Sequence, residues 1–255
     1  MKMASKTIKY LLFLSLLGFA SGARSIIAGF PITFRNEKNC TVGFIGNNED
    51  INGFITSALC CARDNCNILN GEESDEVYEV IGNDGSNDLN LIGAAYDIKF
   101  ELGYIFVTSI LEAWNNIPYT KGVIPEVLYP VTSYLTLNFK GDEVCAYGAK
   151  SGFFCGTLDE INASISILNP LTDKLDVLNV NKVHLGLRGF GSFEDMGGPV
   201  YKRIDHNGNM TAQALGIITN FFTDDRTGRH YFYYTPIENI LSEGTIKLTT
   251  YSGPI

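Results

Sequence analysis

The sequence is poor in the residues that nucleic-acid, metal and sugar recognition commonly use. It has three histidines, one tryptophan, and 19 lysines and arginines against 28 aspartates and glutamates, for a formal net charge of −9. So acidic a surface disfavours nucleic acid and anionic membranes as partners. No histidine has metal-ligand spacing to another histidine or to a cysteine, and neither a phosphate-binding glycine loop nor a dinucleotide fingerprint is present. We therefore expect no metal and no cofactor.

Heptads and short repeats are also missing, whereas glycine, phenylalanine and tyrosine are abundant at 26, 16 and 13 residues. This composition favours β structure. Short apolar runs between turn-forming residues predict strands, and such runs lie at 41–46, 53–59, 91–100, 134–141, 163–168, 183–191, 214–222 and 230–235. One segment differs, because Pro236 at a first helical position, Thr235 as its cap and Gly244 as its end predict a short helix. The pattern indicates an all-β barrel or sandwich with one helix near the C-terminus.

The N-terminal segment has the pattern of a secretory signal peptide. Three lysines precede the apolar run Tyr10–Ala20, and small residues follow it. We expect residues 1–23 to form the signal peptide, cut after Gly22 or Ala23, and 24–255 to form the mature protein. The apolar run is too short to span a bilayer comfortably, so we expect no stable membrane association.

Cysteines and glycosylation sequons agree with a secreted protein. Six cysteines lie after the predicted cleavage site, and an even number in that context indicates disulfides formed in an oxidising compartment. Sequons begin at Asn39, Asn162 and Asn209, which we predict as glycosylation sites. The predicted location is extracellular.

Several motifs resemble those of secreted chymotrypsin-fold serine proteases of the streptogrisin and α-lytic type. "CTVGF" (40–44) and "GFITSALC" (53–60) are similar to the paired strands around the catalytic histidine, the second of which usually reads G-F-x-T-A-G-H-C in that family. "VCAYGAKSGFFCGT" (144–157) resembles the family's cysteine hairpin, and "EDMGGPVY" (194–201) occupies the place of G-D-S-G-G-P. "ALGIITN" (214–220) and "PIENILSEGTIKL" (236–248) resemble the strand that follows and the terminal helix and strand. The resemblance extends over about residues 26–248.

This resemblance implies two six-stranded antiparallel β-barrels that divide near residues 120–135, with the site in the cleft between them. It also implies disulfides Cys40–Cys60 and Cys145–Cys155. Cys61 and Cys66 have no counterpart in the family, and we expect them to pair with each other. Six cysteines allow fifteen pairings, so the sequence alone leaves the pairing open.

The same alignment puts unsuitable residues at two of the three catalytic positions. Leu59 takes the place of the histidine, and a slip of one residue would put Cys60 there, which is not an imidazole either. Met196 takes the place of the nucleophilic serine, and a thioether has no proton to lose. Asp88 matches the orienting aspartate. Without base and nucleophile, the family's acyl transfer is not possible.

The surroundings of the predicted site depart from the family as well. Glu194 replaces the glycine of the oxyanion hole, where glycine suits the unusual backbone angles and a carboxylate would repel a developing oxyanion. We expect Asp195 to be a buried, hydrogen-bonded carboxylate. Thr219, Asn220 and Phe221 replace the small residues that line the specificity pocket, so we expect that pocket to be narrowed or filled.

Together these features predict a secreted pseudoprotease that binds a protein or peptide through its former cleft or through the acidic loop Asn70–Asn90. One alternative is an active endopeptidase with a rearranged site that uses Ser192. Its base would have to be His184, which lies in a strand pattern, or His206 or His230, which lie in turns and loops. Another alternative is a structural or carbohydrate-binding wall protein, for which the single tryptophan, Trp114, offers little of a sugar platform. The partner and the oligomeric state stay open.

Overall fold

A computed structural model of the chain describes residues 25–34, 38–61, 76–80, 89–109, 115–124, 126–136, 138–169, 174–186, 191–242 and 244–254. The strands of this part are β1 Ser25–Ala28, β2 Pro31–Phe34, β3 Lys38–Thr41, β4 Ile45–Asn48, β5 Ile51–Ser57, β6 Glu76–Val80, β7 Leu89–Lys99, β8 Tyr104–Ser109, β9 Asn115–Lys121, β10 Leu128–Tyr134, β11 Glu143–Gly148, β12 Gly152–Asn169, β13 Lys174–Gly186, β14 Pro199–His206, β15 Asn209–Asp224, β16 Arg229–Pro236 and β17 Ile246–Leu248. Three 3₁₀ turns, Ala58–Cys61, Phe100–Leu102 and Phe193–Asp195, and one helix, α1 Ile237–Leu241, complete the described elements.

The first barrel is a ring of six strands when β3 and β4 are counted as one. The order is β4, β5, β8, β7, β6, β2 and β3, and all the paired neighbours are antiparallel. Between β3 and β4 the chain keeps bonding to β5, because Gly43 N–H donates to Ile55 O and Ile55 N–H donates to Phe44 O, both at 2.8 Å. β3 and β4 therefore act as one bent strand that closes the ring.

The second barrel is also a closed ring of six strands. β15, β14, β11, β12, β13 and β16 follow one another, and an additional pairing of β15 with β16 closes the ring. β9 and β10 extend from one side of it, where β10 pairs in parallel with β15. β9 and β10 overlap the range 120–135, and the division predicted near those residues stays a prediction.

The two ends of the described chain each join the sheet of the other half. β1 pairs in parallel with β9, in the sheet of the second barrel, while β17 pairs with β4 in the first barrel. Each sheet thereby holds a strand from the opposite end of the chain, so the barrels are joined by backbone hydrogen bonds as well as by packing.

The predicted fold class, two six-stranded antiparallel barrels with a short C-terminal helix, is confirmed, but two local predictions are wrong. The strand predicted at 134–141 ends at Tyr134 and instead covers Leu128–Tyr134. The observed strand contains Pro130, and a proline inside a segment argues against predicting a strand there from the sequence. The helix begins at Ile237 with Pro236 as its N-cap. Thr235 does not cap the helix, because its hydroxyl bonds to the hydroxyl of Thr219 at 2.8 Å.

Two of the expected disulfides, Cys40–Cys60 and Cys145–Cys155, are present, one in each barrel. The expected pair Cys61–Cys66 stays a prediction because Cys66 lies outside the described residues, as does the predicted signal peptide. Within the described part of the chain, no helix has the length and apolar character needed to cross a membrane.

Candidate functional site

The loop between β13 and β14 is built around one buried carboxylate. Asp195 is 0% exposed, and its Oδ1 accepts hydrogen bonds from the backbone N–H of Lys150 and Ser151, each at 2.9 Å. Its Oδ2 accepts from Ser192 N–H at 2.8 Å. A Cβ atom on Gly148 would lie 2.2 Å from the Asp195 carboxylate, so only glycine fits at that point of β11. Asp195 therefore fixes the loop to the turn between β11 and β12.

The same loop is held against the first barrel by Thr41, at the end of β3. Thr41 N–H donates to Met196 O at 2.9 Å, and its hydroxyl donates to Glu194 O at 2.9 Å. The hydroxyl also accepts from Ala149 N–H at 3.0 Å. One buried threonine thus joins three segments. From the sequence, Thr41 is predicted only as part of a sequon, of a strand and of the "CTVGF" motif, and a threonine that joins three segments carries no distinctive sequence signal.

Gly197 makes the close approach of the two barrels possible. Its φ is +87°, and a Cβ atom there would lie 2.0 Å from Thr56 Oγ1 and 2.4 Å from Thr41 O. A positive φ and such contacts both require glycine. The "MGGP" motif consequently has a structural reason that is independent of catalysis.

The side chains at the two predicted catalytic positions share an apolar environment. Met196 is only 5% exposed and belongs to the core cluster of the first barrel, against which Leu59 packs. Leu59 also packs against a second cluster, formed by Ala163, Ile167, Leu178 and Val180 of the long β12–β13 hairpin. Cys60, the other residue considered for the histidine position, is bonded to Cys40. Leu59 and Met196 thus both pack against the apolar core of the first barrel.

The backbone donors at the predicted oxyanion-hole positions already have partners within the loop. Met196 N–H donates to Phe193 O at 3.2 Å, and Glu194 N–H donates to the Ser192 hydroxyl at 3.3 Å. These bonds belong to the 3₁₀ turn Phe193–Asp195, which Ser192 caps. An oxyanion hole needs such donors to be directed at the substrate oxygen. In this loop they are directed at the loop itself, and Glu194 Oε2 lies 3.6 Å from Lys150 Nζ.

The predicted pocket-lining residues leave little open space beside this loop. The Phe221 ring lies so near Gly191 that a Cβ atom there would be 2.0 Å from it, and it packs against Phe154 and Phe232 with ring centroids 6.2 and 6.4 Å apart. Thr219 is buried, and Asn220 Oδ1 accepts from the N–H of Phe221 at 2.8 Å. The aromatic ring occupies the space between the Gly191 segment and β15.

Comparison with solved structures identifies the architecture. Protease A of Thermobifida fusca superposes with a TM-score of 0.61 at 21% identity, and a chymotrypsin of Cellulomonas bogoriensis with 0.61 at 20%; each match covers 89% of this chain and 100% of the other. An α-lytic protease homologue gives a TM-score of 0.62 at 15% identity, over 88% of this chain and 100% of the other.

The chain has the chymotrypsin-type double β-barrel fold.

No family model and no curated protein sequence matches the chain. The likeness to these solved structures is therefore a likeness of fold, at sequence identities of 15–21%. In this double barrel the turn that carries Leu59 follows β5 of the first barrel, and the loop that carries Met196 precedes β14 of the second. The catalytic positions assigned to these two residues stay a prediction.

The three histidines of the double barrel have different environments. His184 is on β13 with its ring centroid 5.2 Å from that of Tyr231, and its buried Nε2 has no hydrogen-bond partner in the described chain. His230 Nδ1 lies 3.0 Å from Thr223 Oγ1, and His206 is exposed at the β14–β15 turn. The hydroxyl of Ser192, the alternative nucleophile, accepts from Glu194 N–H. No bond between Ser192 and a histidine is present among the described residues.

Tyr147 and Lys121 are two neighbouring groups whose pKa values are shifted by their surroundings. Burial, with Glu126 and Asp195 adding to it, raises the pKa of Tyr147, so the phenol stays protonated at neutral pH. Burial lowers the pKa of Lys121, whose Nζ lies 5.2 Å from the Tyr147 ring centroid. In the described part, one group of three possible metal ligands comprises Glu143, Cys145 and Cys155, but the two cysteines form a disulfide and are not thiolates.

Some predicted site residues lie outside the described residues. These are Asp88 and most of the loop Asn70–Asn90, of which only the short strand β6 and the first two residues of β7 are described. The three sequon asparagines, Asn39, Asn162 and Asn209, are all exposed. Their modification remains a prediction.

Proposed function

We propose that this chain is a secreted, catalytically inactive relative of chymotrypsin-type serine proteases that acts by binding a protein or peptide. The observation that carries the proposal is the closed loop at 192–196. Its two oxyanion-position amides bond within the loop, and the Met196 side chain lies in the core.

The chemistry of the site supports inactivity at each step of acyl transfer. A thioether cannot give up a proton and attack an amide as a serine hydroxyl does. Leucine cannot accept that proton, and loss of one triad member alone removes most of triad catalysis. A tetrahedral intermediate would also lack its hydrogen-bond donors, and loss of one such donor typically costs about 10²–10³ in rate.

The scaffold is suited to recognition in place of turnover. Thr41, Asp195 and the exchanged terminal strands hold the barrels together, and a rigid scaffold with variable loops is a common basis for binding. The two disulfides fit an oxidising compartment. With the signal-peptide pattern and the exposed sequons, they support secretion.

Labelling with a fluorophosphonate, which reacts with activated serines, tests the proposal. The natural protein is compared with the triple variant Leu59→His, Glu194→Gly, Met196→Ser, and with Met196→Ser alone as the matched control. We expect the natural protein and the single variant to stay unlabelled and the triple variant to label.

Labelling of the natural protein would contradict the proposal, and its loss in Ser192→Ala would then identify the active residue. Adding Asp88→Asn to the triple variant tests the orienting carboxylate. The corresponding change in an active triad lowers the rate about 10⁴-fold, so the label should be lost. Retained labelling would mean that Asp88 has no such role.

A further inference from the structure

An apolar groove on the second barrel lies beside β9 and β10, away from the loop that carries Met196. We call it the β9–β10 groove. Its volume is about 550 Å³, and its walls include Tyr119, Val123, Leu128, Pro130, Asn209 and Tyr251. No charged residue is among the residues that line it. Pockets of this size hold small organic ligands.

The groove exposes more hydrocarbon than a surface loop usually does. Val123 and Ile124 are 51% and 57% exposed, and Val127 and Leu128 are 43% and 40% exposed. Contiguous exposed apolar residues of this kind mark surfaces that are covered by something else. The aromatic wall is formed by Tyr119 and Tyr251, whose ring centroids are 5.3 Å apart in an edge-to-face arrangement.

Asn209 connects this groove to the sequon Asn209-Met-Thr211. It is an exposed residue of the groove wall and the first residue of β15. The tight turn before it has positive φ at Asn207 (56°) and Gly208 (93°), and Gly208 N–H donates to Asp205 Oδ1. A rigid hairpin therefore holds the side-chain amide of Asn209 at the edge of the groove.

We propose that Asn209 carries an N-linked glycan whose first sugars lie in the β9–β10 groove. Sugar rings present C–H faces that pack on tyrosine and proline rings, while their hydroxyl edges reach water and the tyrosine hydroxyls. Contacts of this kind are weak, but a covalent tether makes them intramolecular and raises the effective concentration of the sugar at the groove to about the millimolar range. The proposal rests on the secretion included in the proposed function.

The test uses the full chain secreted from a eukaryotic host. Peptide mass spectrometry gives the occupancy of Asn209, and hydrogen–deuterium exchange gives the protection of segment 122–130, in which Gly122 N–H and Val127 N–H are hydrogen-bonded at 2.8 Å. Three proteins are compared: the natural protein, Asn209→Gln, and the matched control Asn39→Gln, whose exposed sequon is on β3 of the first barrel. A fourth sample is the natural protein trimmed enzymatically to one sugar per site.

We expect Asn209 to be modified and Asn209→Gln to exchange severalfold faster in segment 122–130. The control and the trimmed protein should exchange at the natural rate. An unmodified Asn209, or equal exchange in the natural protein and Asn209→Gln, would overturn the proposal. The proposal would also be overturned if segment 122–130 of Asn209→Gln became protected again at high protein concentration, because a second copy of the chain would then cover the groove. Fluorophosphonate labelling of the same samples tests the proposed function separately, and failure to secrete the chain would refute both.

Discussion

Replacing Asp195 with alanine is the most informative single change to the framework of the site. The carboxylate is fully buried and accepts three backbone hydrogen bonds at 2.8–2.9 Å. Alanine removes all three acceptors and leaves the amides of Lys150, Ser151 and Ser192 without them. The two loops that Asp195 joins would then be held mainly through Thr41.

The expected cost follows from these bonds. A hydrogen bond to a charged group contributes about 1.5–3 kcal/mol, and contributions within one network do not simply add. We therefore expect Asp195→Ala to lower the free energy of unfolding by about 4 kcal/mol, which for a chain of this size lowers Tm by about 8–16 °C. Asp195→Asn keeps an acceptor for two amides and turns an NH₂ group toward the third. We expect it to cost about half as much.

Differential scanning calorimetry of the secreted protein, with its disulfides intact, measures both shifts. The matched control is Asp205→Ala, which removes an exposed carboxylate that accepts one hydrogen bond in the β14–β15 turn. It should lower Tm by no more than about a quarter as much. If Asp195→Ala shifts Tm no more than Asp205→Ala does, the assignment of Asp195 as the anchor of this loop is wrong.

Three further predictions concern other parts of the fold. Gly197→Ala should give no secreted protein or should lower the free energy of unfolding by more than about 3 kcal/mol, because the added Cβ would overlap Thr56 Oγ1. A near-natural yield and Tm would contradict this. Phe221→Ala should lower the free energy of unfolding by about 2–3 kcal/mol and open a cavity beside Gly191. The readouts are a lower Tm and new binding of small aromatic probes. An unchanged Tm would show that the ring is not packed there. Burial raises the pKa of Glu238, and its Oε2 is buried without a partner in the described chain. Protonation therefore stabilises the fold below the ordinary pKa, and this stability is lost as pH rises through the raised value. Glu238→Gln should consequently raise Tm at pH 7 but not at pH 4, and an equal effect at both would refute the assignment.

The sequence predicted the double barrel because its main signals are local. Strand runs, the cysteine hairpin and the "GGP" motif each depend on residues close in the chain, and the resemblance placed them in order. The sequence does not predict the strand containing Pro130, because proline argues against a strand inside a sheet. Pro130 pairs only with Tyr119 of β9, since the pairing of β10 with β15 begins at Val131, and this is visible only from the neighbouring strands. The prediction of Thr235 as a helix cap is wrong because local sequence does not show which group its hydroxyl bonds to. Its actual partner, Thr219, is on another strand.

At the candidate site, the sequence by itself determined that Leu59 and Met196 stand at the predicted catalytic positions. Neither a leucine nor a methionine side chain can donate or accept a proton in any environment of a folded protein. The sequence also determined that Asp195 would be available as a buried acceptor. Only the tertiary structure decided that the Met196 and Glu194 amides bond within their own loop, that Phe221 lies against Gly191, and that Thr41 joins the two barrels. The two amide bonds join residues only two or three apart, but the contacts of Phe221 and Thr41 form between residues far apart in the chain. Their geometry depends on how closely two barrels approach, and no local pattern encodes that distance.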